Sequence, residues 1–153
     1  MSVHRNHHRL AGVVPARALA LGLGLSTPFG SAAATPTAGI IDGSRTYGRA
    51  GADTLTVGRR GFAAGGQGDD TIHAGGYLAT TDGGRGNDVI RGGAGPQCLT
   101  GGDGNDTISG GGSADRSYGG GGRDRLYGGS GNDSGYGKRG NDRLYGSRGN
   151  DRR

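Results

Sequence analysis

Large aliphatic residues recur along the second half of this chain with a period of eighteen residues: Ile72, Ile90, Ile108, Leu126 and Leu144. Each stands between mostly polar neighbours and follows six residues dominated by glycine, aspartate and asparagine. Successive side chains of a strand point to opposite faces, so the aliphatic residue of each triplet turns one way and its neighbours the other. The pattern predicts three-residue strands joined by six-residue loops, two rows to each turn of a flattened solenoid, with the Ile and Leu column facing inward. The corresponding positions of the intervening rows are Thr81, Leu99, Ser117 and Gly135, a second inward column that buries much less apolar surface.

From Gly65 to the C-terminus the chain divides into rows of nine without an insertion, and a fixed short period is the mark of a repeat architecture. GGQGDDTIH from Gly65, GGRGNDVIR from Gly83, GGDGNDTIS from Gly101 and GGGGRDRLY from Gly119 follow GGxGxDxUx throughout, where U is a large aliphatic residue. GKRGNDRLY from Gly137 departs only at its second place. The rows between them are poorer. AGGYLATTD from Ala74 and GGAGPQCLT from Gly92 lack the aspartate at the sixth place, GGGSADRSY from Gly110 lacks a glycine and the aliphatic residue, and GGSGNDSGY from Gly128 has Gly135 in the aliphatic place. The row from Gly146, GSRGNDRR, is one residue short, and GRAGADTLT from Gly48 is a good row offset by seventeen residues from Gly65 instead of eighteen. Defects on alternate rows fall on one edge of the solenoid.

The sixth place decides the chemistry. Asp70, Asp88, Asp106, Asp124 and Asp142 share one edge, and Asp53 extends their column if a loop absorbs the seventeen-residue offset. The other edge has Asp133 and Asp151, with Asp115 as a further candidate, so the edges are expected to be strongly unequal. Stacked strands lie about 4.7–4.9 Å apart and calcium takes oxygen ligands at about 2.3–2.6 Å, so an ion between two rungs reaches oxygens on both. An aspartate from each rung and backbone carbonyls left accessible by glycine, such as those of Gly66, Gly68, Gly84, Gly86, Gly102, Gly104, Gly120 and Gly122, supply a hard oxygen shell. The absence of thiolate and imidazole from the loops argues against zinc, copper or iron. Without metal, carboxylates about 4.8 Å apart repel by about 0.9 kcal/mol in water and about 3.5 kcal/mol at an effective dielectric of 20. The metal-free chain is therefore expected to be largely unfolded, and Ca²⁺ is the expected cofactor. Asp69, Asp82 and Asp103 lie outside the sixth place and read as loop charges, while Asn87, Asn105, Asn132, Asn141 and Asn150 at the fifth read as turn formers.

These rows resemble the calcium-binding nonapeptide repeats of the repeats-in-toxin, or haemolysin-type, family. The resemblance spans residues 65–151 and extends to 48–56. It implies an all-β, right-handed parallel β-roll, secretion, and folding triggered by calcium. Larger members join such a roll to a toxin, protease or lipase domain and carry a C-terminal cap. Neither is visible here, and the chain reaches Arg153 inside a rung, an arrangement expected to permit end-to-end self-association. A tail fragment of a secreted toxin or hydrolase is the alternative reading.

Composition sharpens the picture without changing it. Of 153 residues 39 are glycine and only 30% are hydrophobic, too few for a conventional core, and all 13 acids are aspartate, which favours loops over helices. Residues 1–34 carry a basic, histidine-rich start, an apolar stretch from Ala18 to Leu25 and small residues up to Ala34, the order of a secretory signal peptide too short to span a bilayer. Residues 35–47 read as a linker and 48–153 as the roll. The single cysteine, Cys98, rules out an intramolecular disulfide, and one histidine outside the leader with no glutamate offers no acid–base or nucleophilic machinery, so the chain is read as a non-enzyme. Tyr118, Tyr127, Tyr136 and Tyr145 at the ninth place, near Arg125 and Arg143, suit an anionic surface or polysaccharide. A glycine- and arginine-rich disordered nucleic-acid binder has no need of strict nine-residue phasing and ranks well below.

Overall fold

The computed structural model describes Gly43 and residues 45–153. The expected leader, 1–34, lies outside the described residues. Rows alternate between two parallel six-stranded sheets. The first contains β1 (Arg45–Ala50), β3 (Phe62–Gln67), β5 (Thr80–Arg85), β7 (Cys98–Asp103), β9 (Arg116–Gly122) and β11 (Ser134–Gly140), in that order. The second contains β2 (Thr54–Val57), β4 (Thr71–Ala74), β6 (Val89–Gly92), β8 (Thr107–Gly112), β10 (Arg125–Ser130) and β12 (Arg143–Arg148), again in chain order. The chain is thus an all-β parallel solenoid of six turns, as its periodicity predicts. No helix among the described residues is long and apolar enough to cross a membrane.

Register follows the sequence period. Leu55, Ile72, Ile90, Ile108, Leu126 and Leu144 pair in succession through the second sheet. The first four are fully buried, Leu126 nearly so, and Leu144 packs on them while half-buried. Opposite them Thr46, Ala63, Thr81, Leu99, Ser117 and Gly135 form the inner column of the first sheet. Each buried Ile or Leu contributes about 1.5–3 kcal/mol, and the facing column, with Leu99 its one large aliphatic residue among Ala, Thr, Ser and Gly, contributes much less. The interior is narrow and one-sided.

Two boundaries differ from the sequence reading, and the seventeen-residue offset is absorbed in a loop as the Asp53 column requires. Strands reach six or seven residues in most rows, because the ladder runs on through the first three places of the following row and leaves only places four to six as the turn. Strand β1 begins at Arg45, not after residue 47, because Thr46 already stacks on Ala63 as an inner residue. The seventeen-residue offset sits in the loop between β2 and β3: Val57 pairs with Ala74 but Phe62 with Thr80, so residues 58–61 do the work of 75–79. The edge bearing Asp53 is left in register.

Candidate metal columns

The six sixth-place aspartates of the first edge form one column. The backbone N–H of Asp53 donates to Asp70 Oδ1 at 2.8 Å, that of Asp70 to Asp88 at 2.8 Å, and that of Asp88 to Asp106 at 2.8 Å. The series continues from Asp106 to Asp124 at 2.9 Å and from Asp124 to Asp142 at 3.0 Å. On the second edge the same bond runs from Gln97 to Asp115 at 2.8 Å, from Asp115 to Asp133 at 2.9 Å and from Asp133 to Asp151 at 3.0 Å. All eight predicted aspartates therefore stand in two columns, with Asp115 a full member of the second. Its place was legible from the nine-residue count, although its row lacks a glycine.

One oxygen of every column carboxylate except Asp53 is thereby used and the other is not, while at Asp53, the head of the first column, neither oxygen is bonded. Oδ2 of Asp53, Asp70, Asp88, Asp106, Asp124, Asp115 and Asp133 is buried with no hydrogen-bond partner. A buried, unpaired carboxylate oxygen costs more than a lost hydrogen bond, and more still when charged. Burial, followed by the charges of column neighbours, pushes Asp88 up to about 6 and Asp106 to about 7. Burial and Asp133 push Asp115 to about 7, and Asp70, Asp124 and Asp133 shift in the same direction, with burial again the largest cause. The columns lack something positive.

Glycine at the first place, which the sequence reading left without a role, makes room for this oxygen. A Cβ on Gly65, Gly83, Gly101 or Gly119 would collide with Oδ2 of Asp70, Asp88, Asp106 or Asp124 in the same row. The second and fourth glycines serve the stacking of rows. Gly84 (φ +109°) and Gly86 (φ +130°) lie over the carbonyls of Gly66 and Gly68, and the same contact repeats from Gly84 to Gly102, from Gly86 to Gly104, from Gly102 to Gly120 and from Gly104 to Gly122. Third-place carbonyls are already taken, for example Arg85 O by the N–H of Gly68 at 2.7 Å and Asp103 O by that of Gly86 at 2.9 Å.

Position five holds the outer turn. Asp69 accepts from the backbone N–H of Asn87 at 2.6 Å, Asn87 from that of Asn105 at 2.9 Å, and Asn105 from that of Arg123 at 3.0 Å. This ladder lies beside the carboxylate column and leaves its Oδ2 atoms untouched.

The second column starts differently. Its upper sixth places are Ala79 and Gln97, both buried. Gln97 Oε1 accepts from the N–H of Gly93 at 3.2 Å, while Gln97 Nε2 donates to Gly76 O at 3.2 Å in the preceding turn, two rows earlier. A neutral amide here ties two rows together with a donor and an acceptor of its own.

Among the described residues no three His, Cys, Asp or Glu side chains come together to hold a metal. A cation in either column would be held by consecutive carboxylates and completed by main-chain oxygen, a donor set that suits a hard divalent ion. The unpaired Oδ2 atoms fit that requirement.

A two-sheet parallel solenoid with carboxylates stacked along its turns defines a class of repeat protein. A family model, the RTX calcium-binding nonapeptide repeat, matches in four copies over residues 62–76, 82–95, 99–126 and 127–152, and the chain belongs to this family. Repeats of this family bind Ca²⁺. Comparison with curated proteins and with solved structures found no match.

Proposed function

We propose that this chain is a secreted, non-catalytic calcium-binding protein whose repeat domain folds when its aspartate columns are loaded. The observation that carries the reading is the row of buried, unpartnered Oδ2 atoms. Asp53, Asp70, Asp88, Asp106, Asp124 and Asp142 hold ions along the first edge, and Asp115, Asp133 and Asp151 along the second, with main-chain carbonyls of the glycine-rich turns completing each shell. Bound Ca²⁺ supplies charge neutralisation and a bridge between rungs. The aspartates do the rest: in every column member after Asp53, Oδ1 is fixed against the amide of the preceding rung, which leaves Oδ2 free for the ion.

Secretion is inferred from the leader-like order of residues 1–34, and 35–44 remain as the connection to the first strand. Extracellular modules bind calcium at about 10⁻⁴–10⁻³ M, a range in which a weak, cooperative site fills only after export. Circular dichroism of the leader-free chain tests the reading. Strand signal is expected to rise sigmoidally with calcium and not with magnesium, whose smaller, octahedral shell the loops do not suit. A chain equally ordered in chelator contradicts it.

A further inference from the structure

Charge is segregated along the solenoid in a way that calcium binding does not require. Residues 45–115 carry six arginines and eight aspartates, three of which, Asp69, Asp82 and Asp103, lie outside the two columns. Residues 116–153 carry nine Lys and Arg residues, all exposed, and four aspartates, all of them column members. In that stretch every aspartate side chain belongs to a column, so the exposed charged side chains there are all cationic.

Three of the cations converge on one cleft. A cleft of about 260 Å³ is lined by Asn105, Arg123, Asp124, Arg125 and Arg143. Arg125 and Arg143 are register partners on the neighbouring strands β10 and β12, and strands so paired lie about 4.8 Å apart, while Arg123 occupies a turn place that is asparagine in the rows from Gly83, Gly101 and Gly137. Three guanidinium groups around a cleft of this size match a carboxylate or sulfate group on a sugar ring, which arginine grips with two parallel hydrogen bonds. The nearby aromatics argue against a nucleic acid. On the strands of Arg125 and Arg143, Tyr127 and Tyr145 stack on each other at 4.9 Å and 8°, and on the other sheet Tyr118 and Tyr136 do the same at 5.1 Å and 12°, with Lys138 Nζ 5.0 Å from the Tyr118 ring centre. Rings occupied with each other offer poor platforms for bases, on which single-strand binding relies.

We infer that the Arg123, Arg125 and Arg143 cleft binds an acidic polysaccharide through its carboxylate or sulfate groups. Because Asp124 lines the same cleft, neutralising its column strengthens the grip, and by linkage the polysaccharide strengthens calcium binding equally. That coupling rests on the calcium reading; the arginine contact itself does not.

The full chain in saturating calcium is titrated with fluorescently labelled dextran sulfate, with uncharged dextran and single-stranded DNA as rivals, and circular dichroism checks that each variant folds. The combined change Arg123→Gln, Arg125→Gln and Arg143→Gln is expected to weaken binding about tenfold or more, while Arg85→Gln with Arg91→Gln changes it less than about twofold. Should the triple variant not fold, Arg143→Gln alone, at an exposed strand position, is expected to lose about threefold. Equal losses from both sets, equal binding of uncharged dextran, or tighter binding of DNA overturns the inference. Affinity unchanged between two calcium concentrations at which circular dichroism shows the chain folded, with the arginine dependence intact, removes only the coupling.

Discussion

The two edges of the solenoid are built to one plan and finished differently. On the first, six aspartates follow one another without a break from Asp53 to Asp142, each after Asp53 bonded to the amide of the rung before. On the second, Ala79 and Gln97 occupy the upper sixth places and aspartate begins only at Asp115. Gln97 shows that a row can be tied to its neighbour by a neutral amide, with donor and acceptor both satisfied. Aspartate does only half of that and leaves an oxygen buried and alone. On the first edge this buried, unpaired oxygen recurs in five consecutive turns, from Asp53 to Asp124, which is what the proposed calcium sites require.

The contrast can be broken most severely at a row contact. Gly84→Ala places a side chain at φ +109° against the carbonyl of Gly66, and the metal-loaded roll is expected to lose at least about 1–3 kcal/mol, read as a fall in thermal midpoint at fixed calcium. Next in size is Asp106→Ala, which removes the acceptor of the Asp88 amide and a central column carboxylate. A loss of about 1–3 kcal/mol is expected, seen as a higher calcium midpoint than that of Asp115→Ala near the start of the short column. Equal midpoints for the two would remove the claimed inequality of the edges.

Gln97→Asp sharpens the comparison from the other side. It exchanges the amide strut for a carboxylate facing Asp115, so calorimetry is expected to count one more ion per chain, while the metal-free protein becomes no more ordered.

Acidification probes the same carboxylates. Burial raises Asp88, Asp106 and Asp115 to about 6, 7 and 7, above the unfolded value of 3.8, so the metal-free fold binds protons that the unfolded chain releases. That stabilisation is fully present below about pH 4 and is lost as pH rises through 6 to 7. In chelator, strand signal is expected to grow as pH falls from 8 towards 5. In calcium, protons compete for the same oxygens and the calcium midpoint rises over that range. The smallest effect is expected at Gly135, whose φ is ordinary and where a Cβ would meet Leu144 Cδ2 at 3.3 Å and Leu126 Cδ2 at 3.8 Å. Gly135→Ala fills the weak inner column and is expected to raise stability by about 0.4–1 kcal/mol in thermal unfolding.

Much of this was legible in the sequence because a solenoid repeats its evidence. Ile72, Ile90 and Ile108 each restate the same inward position, and a column of aspartates follows from counting in nines. Features that depend on contact between rows were not legible. Nothing in the local pattern of GGxGxD says that the first glycine clears space for a carboxylate five residues later, or that the strand continues through it. The residue missing between Gly48 and Gly65 could have been lost on either edge, and only pairing places the loss in 58–61. Gln97 read as a defect because its two bonds reach back to Gly76 and Gly93, which no motif encodes.

Counting the ions tests the central claim most directly. The bonded aspartate pairs number five on the first edge and two on the second. Calorimetric titration of the leader-free chain, followed by the same titration monitored for strand content, is expected to give about seven calcium ions per chain, one for each stacked pair, taken up together with folding. Uptake of one or two ions by a chain already folded in chelator would contradict it.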